Sequence, residues 1–159
     1  LSPQIRIGPL LRQRHLSIAT AESCTGGLIA SLVTDVSGSS DYFPGGIVAY
    51  ADEDQAGLLG VSWSTLNTKG AVSQETVLEM AHGARKVLNV DLAVSVSGIA
   101  GPGGGTPEKP VGSTWIGLVA PDGEWSRHFI WNGNREQNKR YSSEAALQLV
   151  LDYLEGKIK

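Results

Sequence analysis

Residues 16–33 read LSIATAESCTGGLIASLV. From Leu16 to Ala21 apolar and small residues alternate, the pattern of a strand. Glu22-Ser23-Cys24-Thr25-Gly26-Gly27 then breaks the pattern with small polar residues and glycine. Beyond it Leu28, Ile29, Leu32 and Val33 recur at helical spacing. The chain thus contains a strand, a glycine turn and a helix in direct succession, the opening unit of an α/β fold.

The same reading extends to the rest of the chain. A short helix occupies the first fifteen residues and is interrupted by Pro9. Ser37–Asp41 is a turn cluster, and 45–50 (GGIVAY) a second strand. A short helix carries Leu58 and Leu59 and ends near Gly60. Ser73 caps a helix with Val77, Met80, Ala84, Val87 and Leu88 on one side. Residues 91–97 (DLAVSVS) form a buried-type strand that opens into a loop at 98–107. Strands at 113–119 and 125–131 flank Pro121-Asp122-Gly123 as a hairpin. Asn134 caps the last amphipathic helix. Early alternation and a late hairpin predict a mixed sheet with helices on both faces, in one domain spanning 1–159.

Composition narrows the function. The 159 residues hold 13 Lys+Arg against 16 Asp+Glu, a net charge of −3, with no basic cluster, so nucleic acid is not an expected partner. One cysteine, Cys24, excludes an intrachain disulfide and a multi-cysteine metal site, and fits a reducing cytoplasm. His15, His82 and His128 share no metal-ligand spacing. No apolar run reaches the ~20 residues a membrane span needs, and no signal-peptide pattern opens the chain. Glycine is in excess: 20 residues, against a usual share of about 7%. Nine of them fall at 26–27, 45–46 and 98–105, which favours a site over a linker.

Each motif has a chemical and a plain reading. In the first turn, Ser23 is a nucleophile if a base stands nearby, and free N–H groups from Thr25 to Gly27 would hold an anion; equally, Ser and Thr cap helices there. Cys24 is a thiol nucleophile or a small buried hydrophobe. The 98–105 loop lets backbone approach a ligand closely, or is a mobile surface loop; it is neither a P-loop nor a dinucleotide fingerprint. Arg135 and Arg140, at the start of the last helix, clamp an anion or are ordinary surface arginines.

Taken together, the blocks AESCTGG (21–27), SGSSDYF (37–43), GGIVAY (45–50), LLGV (58–61), GAVS (70–73), SGIAGPGGGTPEKPVG (97–112) and the Gly133-Asn134-Arg135 opening of the last helix resemble the C-terminal domain of the CinA (competence/damage-inducible) family, also called the PncC family of nicotinamide-nucleotide amidases. The resemblance covers about 10–154. It implies a three-layer α/β/α sandwich with a mixed sheet, and a cytoplasmic, homo-oligomeric (dimeric) enzyme that deamidates nicotinamide mononucleotide to nicotinic acid mononucleotide and ammonia, with no cofactor and no metal. Longer members carry an extra N-terminal nucleotide-hydrolysing domain, and the resemblance leads to the expectation of the stand-alone form here.

By the same resemblance Ser23 is the nucleophile and Tyr50 assists it. Thr25, Gly26, Gly27, Gly46, Gly98, Gly101, Gly105 and Thr106 border the nucleotide, and Arg135 contacts its phosphate. The family places a catalytic lysine five residues after the tyrosine. Here Tyr50-Ala51-Asp52-Glu53-Asp54-Gln55 puts Gln55 in that position, and an amide takes no proton near neutral pH. Lys69, Lys109, Asp52, Glu53 and Asp54 remain as titratable candidates for a base, although the acidic run also suits an exposed helix start. The resemblance therefore predicts a weak amidase or, as the alternative, a homologue that binds the nucleotide without turnover.

Overall fold

A computed structural model of the chain describes residues 1–158. Its elements are α1 (Pro3–Gln13), β1 (Ile18–Glu22), α2 (Leu28–Thr34), a 3-10 turn (Ser39–Asp41), β2 (Gly45–Val48), α3 (Asp52–Leu59), α4 (Trp63–Thr68), α5 (Gln74–Leu88), β3 (Leu92–Gly98), β4 (Ser113–Ala120), β5 (Gly123–Ile130) and α6 (Arg135–Leu154). The strands form one sheet in the order β2-β1-β3-β4-β5, parallel across β2, β1 and β3 and antiparallel across β4 and β5. The mixed α/β sandwich expected from the sequence is the observed fold.

Side-chain size divides the two faces. On β3, Leu92, Val94 and Val96 join Ile7 and Leu11 of α1, Ile29 and Leu32 of α2, and Leu147, Val150 and Leu151 of α6 in the larger core. The alternate residue Ala93 faces the smaller core of Val77, Met80, Ala81 and Ala84 from α5, with Leu59 and Leu66. Large residues fill the space beneath three helices, and each buried Leu, Ile or Val contributes roughly 1.5–3 kcal/mol. Small residues let α5 lie close: Ser95 Oγ donates to the Val77 carbonyl, and a Cβ on Gly117 would stand 3.0 Å from that same oxygen.

One expectation and one omission are corrected. Pro9 does not interrupt the first helix, which runs unbroken from Pro3 to Gln13. Pro9 and Ile5, whose carbonyl loses its helical partner, are both exposed, so water satisfies what proline removes. The second is α4, which had no sequence signal; Ser62 Oγ caps it by accepting from Thr65 N.

The topology creates a crevice. The chain leaves β1 through α2 over one face to reach β2, then returns through α3, α4 and α5 over the other face to β3. Connections therefore diverge at the carboxyl ends of β1 and β3, the place where open α/β sheets bind ligands. Ser23 follows the last residue of β1, and the glycine loop follows β3.

Candidate active site

Ser23 is held by its backbone, because its N–H donates to Val96 O on β3 at 3.1 Å. The residue is 7% exposed. Behind it Glu22 is fully buried. One Glu22 oxygen accepts from Thr25 Oγ1 at 2.6 Å and Ile29 N at 2.8 Å, and the other from Ala30 N at 3.0 Å. The first-turn N–H groups of α2 thus already serve a carboxylate belonging to the chain. Thr25 caps nothing directly; it steadies Glu22. The charge suits the positive end of the helix and fixes the turn that carries Ser23.

Gln55 is the side chain that reaches Ser23. It lies in the first turns of α3, is fully buried, and its Nε2 donates to Ser23 Oγ and to Ala49 O, both at 3.3 Å. Its Oε1 is buried with no partner among the described residues. Turning the amide over would set Oε1 against the Ala49 carbonyl, oxygen facing oxygen. The Ala49 carbonyl therefore keeps the NH2 group toward Ser23, and Gln55 donates to the serine instead of accepting its proton.

The other titratable candidates have different partners. Lys109 Nζ donates to Lys69 O at 2.6 Å, and Lys69 Nζ stands 3.9 Å from Glu75. Asp52, Glu53 and Asp54 form the exposed first turn of α3. Burial pushes the Cys24 thiol up to about 12, with the Glu22 charge adding to the rise, so Cys24 is a protonated, inert core residue at neutral pH.

Tyr50 follows β2 and is 64% exposed; its hydroxyl meets Arg135, whose Nη2 donates to it at 3.1 Å. Arg135 Nη1 donates to Gly101 O at 2.7 Å. Two cavities flank this helix start. One, about 670 Å³, is bordered by Thr25, Gly26 and Gly27 on one side and by Glu136 and Lys139 of α6 on the other. The second, about 540 Å³, is bordered by Ala100, Pro102, Val111 and Arg135. Both are large enough for a mononucleotide.

Of the expected residues, Thr25, Gly26, Gly27 and Arg135 border these cavities, whereas Ser23, Tyr50, Gln55, the other glycines and Thr106 do not. Gly46, Gly98 and Gly105 are close-packing positions: an added Cβ would come 2.0 Å from Thr20 Oγ1, 2.7 Å from Thr114 Oγ1 and 2.7 Å from Val111 N respectively. Gly101 needs both room and a φ of +86°. Thr106 Oγ1 accepts from Lys109 N at 3.0 Å and closes the far turn of the loop.

Three contributors escaped the sequence reading. Glu22 is the buried anchor. Asn138 is 2% exposed, and its Nδ2 donates to Ala100 O at 3.0 Å. Lys139 Nζ stands 3.8 Å from where a Cβ on Gly26 would be, and it enters no ion pair among the described residues. Their signal was spacing: Asn138 and Lys139 stand three and four positions after Arg135, on one face of α6.

Comparison with known proteins agrees with this fold. The family model described as the CinA C-terminal domain matches residues 2–154. A CinA-like protein of Desulfosudis oleivorans is 50% identical over 151 residues, covering 94% of this chain and 37% of that protein. The chain spans little more than a third of the length of the curated relatives it matches. A crystal structure of the competence/damage inducible protein CihA from Agrobacterium tumefaciens superposes with a TM-score of 0.92 at 39% identity, covering 96% of this chain and 93% of that one. A CinA superfamily protein from Klebsiella pneumoniae gives 0.93 at 28% identity, covering 97% and 96%.

Proposed function

The chain belongs to the CinA C-terminal domain family, and on that premise we propose that it is an amidohydrolase-type domain acting slowly on nicotinamide mononucleotide, with Ser23 as nucleophile and Gln55 as the reason for slow turnover. The observation that carries the reading is the buried contact of Gln55 Nε2 with Ser23 Oγ at 3.3 Å, at the carboxyl end of β1. A side chain from α3 reaches the serine from the position where the family carries its lysine.

The reaction is acyl transfer. Ser23 Oγ attacks the carboxamide carbon, the carbonyl oxygen takes up negative charge, ammonia leaves, and water hydrolyses the acyl-enzyme to the acid. Nothing in the serine's hydrogen bond to Gln55 removes its proton, so the proton passes to water or to the leaving nitrogen without a positioned base. A positioned base contributes typically 10²–10⁴-fold, which is the loss this chain carries. In this reading the phosphate lies beside Lys139, a cation of the larger cavity with no ion pair among the described residues, and the pyridine ring faces the Ser23 turn.

The test is ammonia release from nicotinamide mononucleotide, lost in Ser23→Ala. Release no faster than the enzyme-free blank contradicts the enzymatic reading. A second reading, a pocket that holds the nucleotide without converting it, is favoured by the direction of the Gln55 hydrogen bond. Calorimetry that detects binding while the recovered ligand is unchanged supports it, and absence of binding overturns it.

A further inference from the structure

The resemblance makes Arg135 a phosphate contact. From the geometry we infer that Arg135 is instead a positioning residue, which holds the Tyr50 hydroxyl and the Gly101 turn in one fixed frame at the start of α6. The inference rests on the amidase reading for its catalytic consequence, and on hydrogen bonds alone for the frame itself.

Tyr50 lies beyond the end of β2, largely exposed, and the Arg135 guanidinium is its hydroxyl's hydrogen-bond partner. A tyrosine in that setting samples several rotamers unless something holds its tip. Arg135 is suited to hold it because the guanidinium is a rigid planar fork. With Nη1 on Gly101 O and Nη2 on Tyr50 Oη, fixing one bond fixes the direction of the other.

The helix that carries Arg135 is itself pinned. Asn134 and Gln137 form a reciprocal capping box at its start. One turn on, buried Asn138 accepts from Gly133 N at 2.9 Å and donates to Ala100 O. Arg135 and Asn138 therefore grip successive carbonyls of the glycine loop, Gly101 and Ala100. Three sequence-distant pieces, the end of β2, the glycine loop and the start of α6, meet at Arg135. Lys139, by contrast, has no carboxylate partner among the described residues and stands free to meet an anion.

The experiment compares ammonia release from nicotinamide mononucleotide and from nicotinamide riboside, which lacks the phosphate, in the Gln55→Lys background if the wild type is too slow to time. Arg135→Met is expected to lower kcat on both substrates by the same factor, roughly 10–100-fold, with KM changed less than about threefold, since misplacement by about 1 Å can cost about 10²-fold. Arg135→Lys, which keeps one donor nitrogen in place of two, recovers part of the loss. Lys139→Met is expected to raise KM for the phosphorylated substrate alone.

If Arg135→Met harms only the phosphorylated substrate, Arg135 is a phosphate ligand and the inference is overturned. If neither substrate releases ammonia even with lysine at position 55, the amidase reading fails, and hydrogen exchange decides the frame. Faster exchange across residues 99–106 in Arg135→Met supports the tether, and unchanged exchange refutes it.

Discussion

Glu22 shows how a charge is kept inside this fold. A buried carboxylate is tolerated only when its oxygens are satisfied, and here Thr25, Ile29 and Ala30 supply the donors. Glu22→Gln preserves the shape but replaces one accepting oxygen with a donor facing N–H groups. It should lower stability by about 1–3 kcal/mol in urea unfolding, with the slope of the transition unchanged. At this scale the sequence was partly legible. Ser23 and the glycine turn stood out because strand, turn and helix signals meet there. Glu22 did not, since an acidic residue closing a strand looks like surface until the helix after it folds back over it. Gln55 was legible as a departure from the family pattern, but its contact with Ser23 became visible only once the fold brought α3 to the carboxyl end of β1.

Among the elements, α3 and α5 approach so closely that glycine decides the fit. A Cβ on Gly83 would stand 1.7 Å from Leu59 O, a backbone atom with nowhere to go, whereas a Cβ on exposed Gly57 would meet nothing within 4 Å. Gly83→Ala should therefore destabilise by about 2–3 kcal/mol or more through overpacking. Gly57→Ala, in the interior of α3, should stabilise by up to about 1 kcal/mol through helix propensity. Thermal melting of the two variants distinguishes the signs. Much of the glycine excess is of the first kind. Its clusters lie around the crevice, where close packing explains the requirement at Gly46, Gly98 and Gly105 and positive φ explains it at Gly26, Gly27, Gly101 and Gly104. Elements with a long apolar period, α5 and α6, were readable; α4 was not, because only Leu66 of its six residues is buried.

For the whole molecule, the alternation of strands and helices foretold a mixed sheet, but the strand order that makes the crevice is a product of which helix covers which face, and no local pattern encodes it. The folded state also sets a response to alkali. Burial raises Cys24 from 9.0 to about 12, and burial with the Asp122 hydrogen bond raises Tyr153 from 10.0 to about 12. Above pH 9 the folded chain then binds more protons than the unfolded one, so stability holds below about 9 and falls as pH climbs toward 12. Urea midpoints measured at pH 8, 10 and 11 should decline in that order, and Cys24→Ala should flatten part of the decline. The central claim concerns chemistry, and it is tested most directly by timing ammonia release from nicotinamide mononucleotide in the wild type, Gln55→Lys and the double variant Gln55→Lys/Ser23→Ala. The account predicts slow release by the wild type, an increase of roughly 100-fold or more with lysine at position 55, and its complete loss when Ser23 is also removed. A wild type as fast as Gln55→Lys, or a gain that survives without Ser23, would contradict it.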